Sequence, residues 1–157
     1  MYWQARAFDP DAKQRYLNAD KPKSNIIFNH DVLYKKNQRI FIPEGVFDAI
    51  PFNTISLIGG SLPDSKVEIL QKFNKDYVFV IDEDLNGYKV GKKAISLGWK
   101  ISHLSDGIDI NKAIKKYGKI FTAKMLNDNV KEDMRADIWL EFMKAEIERK
   151  EKEKKKR

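Results

Sequence analysis

Asp82 and Asp84 stand two residues apart directly after an apolar stretch, and Glu44 directly follows another such stretch. At strand spacing, residues i and i+2 point to the same side, so the two aspartates can converge on one ion. Two carboxylates about 4 Å apart repel by roughly 4 kcal/mol at an effective dielectric near 20. A third acid nearby is costly without a cation. The chain has no cysteine, so any metal is held by oxygen and is a hard ion, magnesium or manganese. Such an ion takes one or two carboxylates, keeps several waters and completes its shell with phosphate oxygens. It can polarise a phosphoryl group or activate an attacking oxygen. Glu44 is then a further ligand or a general acid/base. The competing reading is that acids at strand ends cap helices or close turns. The pair alone leaves both readings open. Glu44-Gly-x-x-Asp48 after one apolar run, with Asp82-x-Asp84-x-x-Gly87 after another, is far more restrictive and favours a site.

Four short runs rich in β-branched and aromatic residues deliver these groups: Arg39-Ile-Phe-Ile-Pro43, Thr54-Ile-Ser-Leu-Ile58, Tyr77-Val-Phe-Val-Ile81 and Trp99-Lys-Ile-Ser102. They read as buried strands. Segments with helical spacing lie between them, from Glu44 to Ile50, Asp64 to Phe73 and Gly87 to Leu97. This alternation predicts an α/β fold with about four parallel strands, right-handed crossovers and flanking helices. Functional groups then gather at the carboxyl ends of the strands. Gly59 and Gly60, after the second run, allow a tight turn or a close approach of backbone to substrate.

The core spans residues 37–118. Residues 1–36 read as a small N-terminal appendage with strands at Tyr2–Phe8 and Ser24–Asn29. Asp109 to Tyr117 reads as a short helix stopped by Gly118. Residues 119–150 form a C-terminal helical region in which one long helix starts near residue 131. Residues 151–157 read as a disordered basic tail, with fraying from Glu148 because no apolar residue anchors it.

The chain has 157 residues and a formal net charge of +7, from 30 Lys and Arg against 23 Asp and Glu. That balance favours polyanionic partners. No stretch reads as a signal peptide or is apolar enough to span a bilayer, so a cytoplasmic protein without a membrane partner is expected. Arg6 and Lys23 in the appendage are candidate phosphate contacts, interleaved with aromatic residues that could stack on unpaired bases. Lys89, with Lys92 and Lys93, lies on the helix after the aspartates, within reach of nucleotide phosphates; a solvated helix face is the simpler account of all three. His30 and His103 have no ligand-spaced partner and read as surface or capping residues.

Pro43-Glu-Gly-Val-Phe-Asp-Ala-Ile50, Leu57-Ile-Gly-Gly60 and Ile81-Asp-Glu-Asp-Leu-Asn-Gly-Tyr88 resemble the Toprim domains of bacterial-type primases, topoisomerases and certain nucleases, and most of all those of bacteriophage primases. The resemblance implies a Rossmann-like Toprim core. It also implies that Glu44 is the acid/base, that Asp82 and Asp84 bind magnesium, and that Asp48 is a further acid of the motif. Ser105–Gly118 looks like the primase segment in which Asp-Pro-Asp precedes a helix. Asp109 matches its first acid, and Asn111 puts an amide in place of the second. Tyr2–Phe8 and Arg15–Asn18 extend the resemblance to about residues 1–118.

Primases of this type usually carry an N-terminal zinc-binding module. This chain has no cysteine and starts where that module would end, so a separate zinc-module or helicase partner is expected. The implied function is metal-dependent synthesis of RNA primers from ribonucleoside triphosphates on a single-stranded DNA template. If the chain is phage-encoded, it works in the bacterial host cytoplasm. A Toprim nuclease uses the same acids to activate water, and a non-catalytic replisome subunit would use only the basic ends. A phospho-receiver domain is disfavoured, because Ser102-His103-Leu104 has no lysine after the fourth strand.

Overall fold

The computed structural model describes residues 3–9, 11–14, 16–20, 24–36, 38–104 and 107–154. Its centre is a parallel sheet of order β3-β4-β5, formed by Arg39–Pro43 (β3), Asp76–Val80 (β4) and Lys100–Ser102 (β5). In the register, Phe41 stands beside Val78 and Phe79 beside Ile101. β4 is buried from Tyr77 to Val80 because helices cover both faces, so no polar alternation survives in its sequence. Tyr77, Phe79 and Ile81 enter one apolar cluster and Val80 the other, as the two-residue period of a strand requires.

The helices are Val46–Ala49 (α1), Asp64–Gln71 (α2), Leu85–Ser96 (α3), Ile110–Tyr117 (α4), Lys119–Asp128 (α5) and Asp133–Lys154 (α6). α6 packs on α3 and buries Ala136, Leu140 and Met143 in the larger cluster. Ile110 and Ala113 of α4 and Leu126 of α5 fill the smaller cluster on the other face. No helix among the described residues is long and apolar enough to cross a membrane.

The sheet has three strands where four were expected. Thr54–Ile58 runs beside β3 but is held mainly by side chains: Thr54 Oγ1 donates to Phe41 O at 2.5 Å and Ser56 Oγ to Glu44 O at 2.9 Å. Its Ser56 backbone pairs with Phe28 in an isolated antiparallel bridge. At the opposite edge, Ile101 and Lys131 exchange backbone hydrogen bonds of 2.9 and 2.8 Å.

In the appendage, Gln4–Arg6 (β1) pairs antiparallel with Tyr16–Asn18 (β2), and Ser24–Asn29 contributes only the Phe28 bridge. The C-terminal region holds two helices, α5 and α6, where one was expected. α5 escaped notice because only Thr122 and Leu126 of it are buried, while Ile120 and Phe121 face solvent. α6 is helical through Lys154.

Candidate active site

β3 ends at Pro43, and Glu44 emerges at its carboxyl end with its carbonyl held by Ser56. β4 ends at Val80, and the chain turns through Asp82 to Asp84 before α3 begins. Glu44, Asp48, Asp82, Glu83, Asp84 and Asp109 all line one cavity of about 310 Å³ across these strand ends. The sequence-predicted acids therefore come together from three separate segments, 44–48, 82–84 and 109.

Local geometry follows from turn and cap chemistry. Asp84 is the N-cap of α3, and its Oδ1 accepts from Gly87 N at 2.7 Å. Asp84 N in turn donates to Asp82 O at 2.9 Å. Gly87 is required here because a Cβ would strike the Asp82 carbonyl. Asp109 caps α4 by accepting from Lys112 N at 2.7 Å, and it pairs with the Lys112 ammonium at 3.1 Å. Asp48 Oδ1 accepts from Asn111 Nδ2 at 2.6 Å, so the amide that replaces the motif's second acid orients a neighbouring carboxylate. Capping thus accounts for part of what Asp84 and Asp109 do, and the second oxygen of Asp109 is the one paired with the Lys112 ammonium.

The electrostatics show how crowded that neighbourhood is. Burial, followed by the charges of Asp82 and Asp84, pushes the Glu44 carboxyl up from 4.5 to about 7, against an opposing hydrogen bond from Asn86. Burial, then Asp84 and Asp109, also raises the Asp82 carboxyl. The folded state therefore prefers protonated Glu44, and its contribution to stability is lost as pH rises from 4.5 toward 7. Glu44→Gln is expected to be more stable than the wild type by about 1 to 2 kcal/mol at pH 8, after discounting for solvent screening. The gap should close near pH 5, as thermal melts across that range will show. A gap that does not vary with pH would mean that Glu44 does not titrate in this window.

Among the described residues, no three of these acids converge tightly enough to form a ligand cage by themselves. A hard divalent ion nevertheless suits the donor set: oxygen ligands line one cavity, and their mutual repulsion is what a cation relieves.

The glycine turn faces the site from β3's flank. Ile58, Gly59 and Gly60 have φ of 50°, 99° and 62°, a left-handed run in which the β-branched Ile58 is the unusual member. A Cβ on Gly60 would collide with the Glu44 carboxylate and the Asn86 amide. The close approach that the glycines allow is therefore to Glu44. Asn86 Nδ2 bridges Gly60 O at 2.7 Å and Glu44 Oε1 at 3.2 Å. Beneath the turn, Lys66 of α2 is buried to 1 % exposure and donates to Leu57 O and, at 3.4 Å, Ile58 O.

Other expected contacts fall away from the cavity. Lys89 is exposed on α3 and is not among the lining residues. Lys92 pairs with Asp137 and Glu141 of α6 at 2.7 and 3.1 Å, and Lys93 with Asp64 at 2.6 Å. The Arg6 side chain and Lys23 lie outside the described residues. His103, expected as a surface or capping residue, is buried and stacks on Trp139 at 4.1 Å. Burial, then Lys131, pushes its imidazole down to about 4, so the ring is neutral at pH 7 and its 3.5 Å approach to Glu83 is not an ion pair. Asn86 and Lys66 escaped the sequence reading, and the burial of His103 was not foreseen. Only the position of His103 after a strand, like that of the acids, offered a signal.

No family model matches the chain. A DNA primase of Legionella pneumophila is 28% identical over 117 residues, which cover 66% of this chain and 20% of that protein. A DNA primase domain from Pseudomonas aeruginosa superposes with a TM-score of 0.68 at 16% identity, covering 83% of this chain and 47% of that one. A DnaG primase catalytic domain bound to ssDNA superposes with a TM-score of 0.63 at 16% identity, covering 75% of this chain and 45% of that one. The chain thus spans a fifth of the curated relative and about half of each solved domain. Its α/β architecture is the fold of the bacterial-type primase catalytic core, as the resemblance to Toprim domains implied.

Proposed function

We propose that the chain is a primase catalytic domain that joins ribonucleotides on a single-stranded DNA template. The observation that carries this reading is the gathering of Glu44, Asp48, Asp82, Asp84 and Asp109 around one cavity at the strand ends. The likeness to primases, one of them bound to ssDNA, supplies the substrate class. Asp82 and Asp84, with Glu44 beside them, would hold magnesium or manganese. When bound, such an ion neutralises phosphate charge and polarises the phosphoryl group.

The protein's own groups do the rest. In the reaction, a 3′-hydroxyl oxygen forms a bond to the α-phosphorus of a ribonucleoside triphosphate, and pyrophosphate leaves with the bonding electrons. Glu44 Oε accepts the hydroxyl proton; a carboxyl near 7 is well matched to proton transfer at neutral pH. Asn86 holds that carboxylate against the Gly60 carbonyl, so its orientation is set before substrate arrives. A zinc-binding module or a helicase partner would select the template.

The deciding experiment offers labelled ribonucleotides and single-stranded DNA with magnesium or manganese, with and without such partners. Labelled RNA longer than the starting nucleotides is expected. Shortened DNA instead of extended RNA would identify a nuclease. No product under any of these conditions would leave a non-catalytic nucleic-acid-binding subunit.

A further inference from the structure

Backbone pairing between β4 and β5 ends just before the acids. Ile81 N donates to Ser102 O at 3.0 Å, and past that bond the side chains of Glu83 and His103 approach each other, with Glu83 Oε1 standing 3.5 Å from His103 Nδ1. Glu83 sits between Asp82 and Asp84 and lines the acidic cavity with them. A hold on its carboxylate is therefore a hold on the turn.

His103 is built to supply that hold. It is 8 % exposed, and its ring stacks on Trp139 of α6 at 4.1 Å with the planes 24° apart. Lys131 Nζ lies 3.1 Å from Nε2 and 5.4 Å from the centre of the same indole. The backbone is pinned as well, because Asn129 Nδ2 donates to His103 O at 3.2 Å and Lys131 Nζ donates to Asn129 O at 3.2 Å. An ammonium can only donate, so Nε2 accepts from Lys131, and the single proton of the neutral ring sits on Nδ1, toward Glu83. Among the described residues, Nδ1 is the buried side-chain polar atom with no hydrogen-bond partner. Folded proteins rarely leave such an atom unpaired, and the Glu83 carboxylate is the acceptor it approaches.

We infer that His103 is a positioning residue for the metal-binding turn. Gripped by Trp139 and Lys131, its Nδ1–H anchors the Glu83 carboxylate and so holds Asp82 and Asp84 in the arrangement that receives a divalent cation. The inference deepens the proposed metal site and rests on that reading, but does not depend on primer synthesis.

The test titrates the full chain with manganese, without nucleotide or DNA, and reads the free ion by electron paramagnetic resonance. His103→Phe keeps an aromatic face on Trp139 and loses the donor; it is expected to weaken manganese binding about tenfold, as removal of a group behind the ligands does. His103→Asn sets an N–H close to the place of Nδ1 and is expected to stay within about threefold of the wild type. His103→Gln sets it close to Nε2 instead and is expected to behave like His103→Phe. Thermal melts establish that each variant is folded; if His103→Phe does not melt cooperatively, the contrast between His103→Asn and His103→Gln decides. In a Glu83→Ala background no carboxylate remains to anchor, and there His103→Phe is expected to cost less than about twofold. Equal losses in both backgrounds, equal affinities for His103→Asn and His103→Gln, or full affinity in His103→Phe would overturn the anchor. A wild-type chain that binds no manganese would overturn it together with the metal site. Manganese binding with the coupling to Glu83 intact, in a chain that makes no RNA, would support the anchor and remove the primase activity alone.

Discussion

Asp82→Asn is expected to lower primer synthesis by about 10³-fold or more while making the folded chain more stable. Loss of rate follows because a neutral amide is a poor ligand for a hard cation, and charge neutralisation at phosphate supplies several kcal/mol to such reactions. Gain of stability follows because Asp82 is raised by burial and by the charges of Asp84 and Asp109, and its ionisation works against folding. The gain is read as a melting temperature above that of the wild type at pH 8, narrowing as the pH falls. The opposite signs are diagnostic, since a residue needed only for folding would lose stability and activity together. Primer synthesis and melting temperature measured on one preparation check both. Undiminished synthesis in the variant would remove Asp82 from the site.

Lys66→Ala is expected to destabilise the fold by about 3 to 5 kcal/mol, the largest stability loss foreseen for a single residue here. The substitution empties space that the lysine stem fills at 1 % exposure and takes the donor from the Leu57 and Ile58 carbonyls. Ile58 already sits at φ 50°, so the turn depends on outside support to keep its shape. Lys66→Met keeps most of the stem and should recover about half of the loss. Because the turn carries Gly60 against Glu44 and Asn86, the methionine variant should fold yet synthesise more slowly. Urea unfolding with parallel rates separates the two effects. A cost below about 1 kcal/mol for the alanine variant would show that the carbonyls find other donors.

The acids were legible because they follow apolar runs and because strand ends converge on one edge in a parallel sheet. Glu44, Asp48, Asp82, Asp84 and Asp109 accordingly line one cavity. Lys66 was not legible: between Ser65 and Val67 it looks like any lysine on a helix surface, and only tertiary packing places the glycine turn above it. Thr54–Ile58 has the composition of a strand, but its hydroxyls occupy carbonyls beside β3 that a backbone ladder would use. The last turns of α6 read as a charged, fraying end because composition carries no phase. Packing of Ile147 against the main core fixes that phase.

Both borders of the central sheet are occupied: Thr54 and Ser56 hold carbonyls along β3 and after it, and Lys131 pairs with Ile101 on β5. An extended peptide from another protein would find little free backbone there to join as an added strand. At the central sheet, associating proteins therefore engage helix faces and side chains, and the same closure guards that sheet against edge-to-edge aggregation.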